Sequence, residues 1–210
     1  MATSVTEAGM SSNGYPADLD VDLPERNSRL LAVLFFIFIK LLLSTPHLIV
    51  LMVYGFVAAI VAWIAQWAVL FTGSYPRGLH NFALGFLRWS WRLTAWYLGL
   101  TDRYPPFSGS DSEHPARADC MVPESSSRLL ALIRIVPIIG FLMIPHIVVL
   151  TVLSFALVVV VVLAQLAAVF VGRFPEGLAS FTIGFNRWSH RVECYTSGLV
   201  DRYPPFRMDS

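Results

Sequence analysis

Shifted by 99 residues, the chain falls onto itself without a gap. SRLLA at Ser28–Ala32 meets SRLLA at Ser127–Ala131, Pro46-His47 meets Pro145-His146, and Ala65-Gln66 meets Ala164-Gln165. GFLRWSWR meets GFNRWSHR, and DRYPPF closes both copies. The match extends upstream to YPADLDVDLPE against HPARADCMVPE, and about 40 aligned positions are identical. A period this long marks a duplicated structural unit, not the short stacking repeat of a solenoid. The copies cover residues 15–107 and 114–206, with a linker at 108–113 and tails at 1–14 and 207–210. Two such units are expected to pack as pseudo-symmetric halves. The first tail is rich in Ser, Gly and Ala and is expected to be disordered.

Each copy carries one long apolar block, Leu30 to Thr72 and Leu129 to Val171. Both far exceed the roughly 20 residues that a membrane-crossing helix needs. The whole chain is 56% hydrophobic and only 14% charged, too little polar surface for an ordinary soluble domain. The opening MATSVTEAGMSSNG lacks a basic or apolar leader pattern, so the first block is expected to act as its own targeting signal. Net charge is +1, which gives no reason to expect a nucleic-acid partner, and two cysteines imply no disulfide framework.

Within a block, Pro46-His47 divides a shorter piece, Arg29 to Thr45, from a longer one, Leu48 to Thr72. The longer piece has no formal charge and is long enough to cross a bilayer. The shorter one carries Lys40, or Arg134 in copy two, and is either a short transmembrane helix or an interfacial one. Two considerations favour a helical hairpin. Equivalent Arg and Trp residues after the longer piece most simply face one side, which needs an even number of crossings. Of 15 Lys and Arg, only Lys40 and Arg134 fall inside the blocks, so a hairpin gathers the others on one face. Pro46 and Pro145 would then open the second helix of each hairpin. Lys40 and Arg134 are not equivalent positions, and each is expected to snorkel.

After the block, Leu79, Phe82, Phe86, Trp89, Leu93 and Trp96 form one helical stripe, with Arg77, Arg88 and Arg92 on another face. Copy two repeats the pattern. A helix with Trp and Phe on one side and Arg on another suits a membrane interface. Upstream, Leu19, Val21 and Leu23 alternate with aspartates, which reads as a short strand of a two-stranded ribbon or as an extended linker. The fold class expected is thus an all-α membrane protein of two tandem repeats. Each is a transmembrane hairpin plus an amphipathic interfacial helix, with about four membrane helices in all. Both termini and the linker are expected on the cytoplasmic side of the cell membrane.

The strings PHLIVL, G-x-YPRGL, F-x-x-G-x-x-RWS-x-R and DRYPPF resemble a family of bacterial, largely actinobacterial, integral membrane proteins, the domain of unknown function 4389, often found as tandem copies. The resemblance covers Tyr15 to Phe107 and His114 to Phe206. It implies a membrane location and brings no activity, substrate or catalytic residue. Copy two departs from copy one at His190, which faces Trp91, and at Ser197, which faces Leu98.

Candidate site residues follow from their setting. His47 and His146 are either intramembrane proton-relay or ligand groups or interfacial caps of backbone groups. Neither has a second ligand at helical spacing, so no metal is expected. Gln66 and Gln165 are polar groups inside the long helices, suited to bonding between helices or to lining a polar cavity. Arg88 with Arg92, and Arg187 with Arg191, share a helical face and suit an anionic lipid head group, or internal pairing with Asp102 and Asp201. Trp89 and Trp188 are expected to anchor at the interface or to pack. The sequence has no nucleophile, metal or nucleotide motif, and no catalytic residue or cofactor is expected. The function expected is a non-catalytic membrane component that binds anionic lipid or a partner membrane protein, itself or another, through the Arg-bearing helices. The alternative is a transporter or channel component formed between the repeats, with His47, His146, Gln66 and Gln165 lining a wet path.

Overall fold

The computed structural model describes residues 14–136 and 138–209. The expected disorder of the first tail lies almost wholly outside them. The chain is mostly helical. Copy one gives β1 (Ala17–Val21), α1 (Arg29–Phe36), α2 (Ile39–Thr72) and α3 (Arg77–Leu98), and copy two gives β2 (Ala116–Cys120), α4 (Arg128–Ile135), α5 (Ile139–Val171) and α6 (Glu176–Thr196).

The break inside each apolar block is not at the proline. α2 and α5 run straight through Pro46 and Pro145. In copy one the break falls earlier, where Phe38 takes a left-handed conformation (φ 61°) between α1 and α2. The carbonyl ladder that the prolines disturb gains outside donors: the Tyr104 hydroxyl donates to Leu43 O (2.9 Å) and the Tyr203 hydroxyl to Leu142 O (3.2 Å). The piece before the break is the eight-residue α1, about 12 Å long and too short to cross a bilayer. It does not form a hairpin within its own copy. Instead α1 packs on α5 and α4 packs on α2, an exchange between the repeats. Ser28 and Ser127 cap these short helices, each accepting from the amide three residues on (3.3 Å).

Contacts between the repeats are reciprocated, which defines a two-fold axis. β1 and β2 pair antiparallel with Leu19 opposite Ala118. These two are equivalent residues, so the axis passes through that pair, normal to the ribbon. Asn27 N bonds Gly172 O (3.0 Å) while Ser126 N bonds Gly73 O (2.8 Å). The ribbon sits on α3 and α6, which pack in turn on α2 and α5.

The axis fixes the inclination of the long helices. Lys40 Nζ donates to Trp96 O (2.5 Å) and Gln165 Nε2 to Leu98 O (2.7 Å). With side-chain reaches of about 6 and 5 Å and about 5 Å between the carbonyls, the Cα atoms of Lys40 and Gln165 are at most about 21 Å apart. The axis holds Gln66 and Gln165 at one height. Lys40 and Gln66 therefore differ in height by at most about 21 Å, although about 39 Å of helix lies between them. Both long helices lean at least about 55° from the axis and lie across it.

Their outer surfaces are apolar and uncovered. Phe56 and Phe71 on α2, and Phe155 and Phe170 on α5, are each about 70% exposed or more. Both helices are long and apolar enough to cross a membrane, and only 22% and 11% of their most apolar stretches is buried within the molecule. That sets them apart from the core helices of a soluble protein.

Candidate functional site

The repeated motifs meet in one cluster per copy. Trp89 Nε1 donates to His47 Nδ1 (2.9 Å), Phe107 stacks on the imidazole at 3.8 Å, and the Tyr104 ring lies 5.0 Å from it. Copy two repeats this with Trp188 (3.0 Å), Phe206 (3.9 Å) and Tyr203 (5.0 Å) around His146. Because Nδ1 accepts, each neutral imidazole carries its proton on Nε2, an atom that is buried without a partner in both copies. Both histidines are 0% exposed. The motifs PH, RWS and DRYPPF thus form a lock: the segment after α3 returns along α2 and seals the proline turn. Trp89 and Trp188 are internal, not interface anchors, because their indoles are held by the histidines.

The arginine pairs are also internal. Arg88 Nε donates to Ala118 O (3.1 Å) and its guanidinium pairs with Asp119 (2.8 Å); Arg187 donates to Leu19 O (2.9 Å) and pairs with Asp18 (3.2 Å) and Asp20 (3.4 Å). Each reaches the strand of the other repeat at the two-fold axis. Arg92 holds the carbonyls of Ser108 and Ser110, and Arg191 those of Arg207 and Asp209. Arg92 and Arg191 are 2% and 0% exposed. The guanidiniums expected to meet anionic head groups are thus engaged within the protein, where the polar side of α3 and α6 meets the ribbon and the returning segments. Nor do these arginines pair with Asp102 and Asp201, whose carboxylates instead accept the amides of Ser28 and Ser127 ahead of α1 and α4.

Gln66 and Gln165 join the repeats. Gln165 Nε2 donates to Leu98 O (2.7 Å) and Gln66 Nε2 to Ser197 O (3.2 Å), so each long helix grips the end of the other repeat's α3 or α6. The helix ends at Gly99 and Gly198 leave room for these amides; a Cβ on either glycine would overlap the glutamine. His47 and His146 are enclosed in the aromatic clusters, whereas Gln66 borders a cavity of about 290 Å³ with Ala59, Ala62, Trp63 and Arg134. Lys40 and Arg134 do not snorkel but are buried, and from non-equivalent positions they play the same part. Lys40 donates to Trp96 O and sits 4.8 Å over the Trp96 ring; Arg134 donates to Tyr195 O (3.1 Å) and sits 5.1 Å over the Tyr195 ring. Trp96 and Tyr195 are equivalent, so both cations serve the same negative helix end from different positions. Arg134 also pairs with Asp201 (2.8 Å). Among the described residues no His/Cys/Asp/Glu group is arranged to hold a metal ion.

A two-fold, mostly helical protein carrying two bare apolar helices is the class this geometry defines. Residues 35–109 and 135–207 match the family described as a domain of unknown function, DUF4389, and the chain belongs to that family as two tandem copies. No curated protein and no solved structure matches.

Proposed function

We propose that this chain is a non-catalytic membrane component that rests in one leaflet, its two-fold axis along the membrane normal and α2 and α5 lying in the lipid. The reading rests on one observation: the long helices lean at least about 55° from the axis, whereas transmembrane helices tilt by roughly 0–40°. Over its full length each helix rises no more than about 28 Å, and that only with every linking side chain fully extended along the axis. The hydrocarbon core is about 30 Å thick. An axis lying in the membrane plane would put the ribbon at mid-bilayer. There its open edges and the half-exposed Asp20, Asp22 and Arg117 side chains (53, 64 and 57%) would be prohibitive. The lipid contact is the bare surface of α2 and α5, and the arginine helices build the platform above it. The termini, ribbon and linker then share one face, assigned to the cytoplasm by the preference of Lys and Arg for that side.

The test is single-cysteine labelling with a membrane-impermeant maleimide at Phe38, Ser74 and Ser110, which flank α2 or lie in the linker. All three should label from one side only, in cells or in inverted vesicles. Labelling of Phe38 and Ser74 from opposite sides would refute the one-leaflet arrangement.

A further inference from the structure

Five positions related by the two-fold axis differ in chemistry between its two sides. Tyr75, His80, Cys120, His190 and Cys194 stand where the equivalent residues are Phe174, Ala179, Val21, Trp91 and Ala95. All ten are buried. The second set packs as one hydrophobic cluster. Mainly apolar side chains therefore satisfy the fold at these places, and burying polar ones in the first set costs stability that packing alone does not explain.

The first set gathers where the end of β2 meets α3 and α6. The Cys120 and Cys194 thiols are in hydrogen-bonding contact and share one core cluster. Cys194 Sγ lies 3.5 Å from His190 Nε2. His80 sits against the Cys120 thiol, and its ring nitrogens have no other partner. The Tyr75 ring meets the His80 ring edge-on at 5.7 Å, and its hydroxyl is also unpaired.

The two thiols are not alike. Contact with Cys194, and then with His80, holds the Cys120 thiol below its ordinary value, whereas burial pushes Cys194 above it. Asp119 opposes the ionisation of both, and Glu193 that of Cys194. Burial keeps Tyr15 and Tyr75 protonated and His190 uncharged near pH 7. Cys120 is thus the thiol that ionises, with Cys194 as a neutral thiol beside it.

We propose that Cys120 and Cys194 are an oxidation site, converted by a hydroperoxide into a disulfide that latches the ribbon strand β2 to α6. His80 accepts the Cys120 proton, and the thiolate sulfur attacks the O–O bond. That bond breaks, a sulfenic acid forms on Cys120, and the departing oxygen leaves with the proton from His80, as an alcohol or, from hydrogen peroxide, as water. The Cys194 sulfur then attacks the Cys120 sulfur. The S–O bond breaks, and the hydroxyl leaves with the Cys194 proton as water. The thiols lose two hydrogens and two electrons, and the peroxide gains the electrons. The new bond closes a loop that spans α4 and α5. The latch does not depend on how α2 and α5 lie in lipid.

The test exposes the full reduced chain, in a neutral maltoside detergent, to hydrogen peroxide near pH 7. Thiol titration under denaturing conditions should count two thiols before, none after, and two again after a thiol reductant. Peptide mapping without reductant should join the segments holding Cys120 and Cys194 of one molecule. The oxidised chain should unfold at least about 5 °C higher than the reduced one. Cys120→Val with Cys194→Ala installs the residues of copy one. It should remove this redox dependence and leave the midpoint near that of the reduced parent. His80→Ala should slow the oxidation about tenfold at pH 7 and much less at pH 9, where Cys120 ionises without a base. Thiols that persist in peroxide, thiols lost to oxygen adducts or to bonds between molecules, or an oxidised chain no more stable than the reduced one would each overturn the proposal. A His80 variant that matches the parent at pH 7, or lags equally at both pH values, would overturn the part given to His80.

Discussion

Copy two can be rebuilt with copy one's cation. Arg134→Phe installs the residue copy one has at Phe35 and removes three bonds: to Tyr195 O (3.1 Å), to Val200 O (2.9 Å) and to Asp201 (2.8 Å). Hydrogen bonds to a charged group contribute about 1.5–3 kcal/mol each, and removing one partner of a buried ion pair costs about 3–5 kcal/mol. Asp201 keeps the Ser127 amide and its side chain is 21% exposed, so the lower end applies, about 3 kcal/mol or roughly a hundredfold in the folding equilibrium. Adding Ile139→Lys, at the position equivalent to Lys40, places an ammonium within reach of Tyr195 O. It should restore about a third of the loss, since lysine recovers one bond of the three. Unfolding in mixed micelles, followed by tryptophan fluorescence, reads both steps. The claim that two unrelated positions serve one helix end is refuted if the double variant is no more stable than Arg134→Phe, or if Arg134→Phe costs under about 1 kcal/mol.

Burial depresses the His190 imidazole to about 4 in the folded chain. The unfolded chain takes up its proton near 6.5, so stability is full above that pH and falls between about 6.5 and 4, by a few kcal/mol at most. His190→Trp installs the equivalent of Trp91, which already donates to the matching ribbon carbonyl (3.0 Å), and should flatten the melting midpoint between pH 7.5 and 5. An unchanged acid sensitivity would place its source elsewhere. Gly109→Ala would drive a Cβ into the backbone of Gly85 and lift the returning segment off Arg92, with a loss of about 2 kcal/mol in the same unfolding assay and faster proteolysis near Ser108.

The duplication, the two bare apolar helices and the mostly helical architecture are legible in the residues themselves, because hydrophobic length and self-similarity need no tertiary information. The alternation in Leu19 and Val21 also points to the ribbon. The position of the helix break is not legible: Pro46 is the obvious breaker, yet Tyr104, 58 residues further on, supplies a donor at the kink, and the break falls at Phe38, whose residue type gives no sign of a left-handed backbone. The fate of the arginines is hidden for a similar reason. An amphipathic stripe shows that α3 has a polar side, but not that a strand from the other repeat covers it. Aligning the copies conceals the Lys40 and Arg134 pairing, since long side chains reach one carbonyl from different turns.

The exchange of α1 and α4 has a consequence for any polypeptide that carries the unit once. Such a polypeptide holds a short helix whose seat lies on a neighbour and a long helix waiting for the neighbour's short one. Its two vacant seats would be filled by a two-fold exchange with a second molecule, so a single-copy polypeptide is expected to pair as a homodimer. In the present chain the covalent link between the copies makes that partnership independent of concentration, and once the link exists the two halves can diverge, as Ala58 and Ala62 on α2 against Leu157 and Val161 on α5 already have.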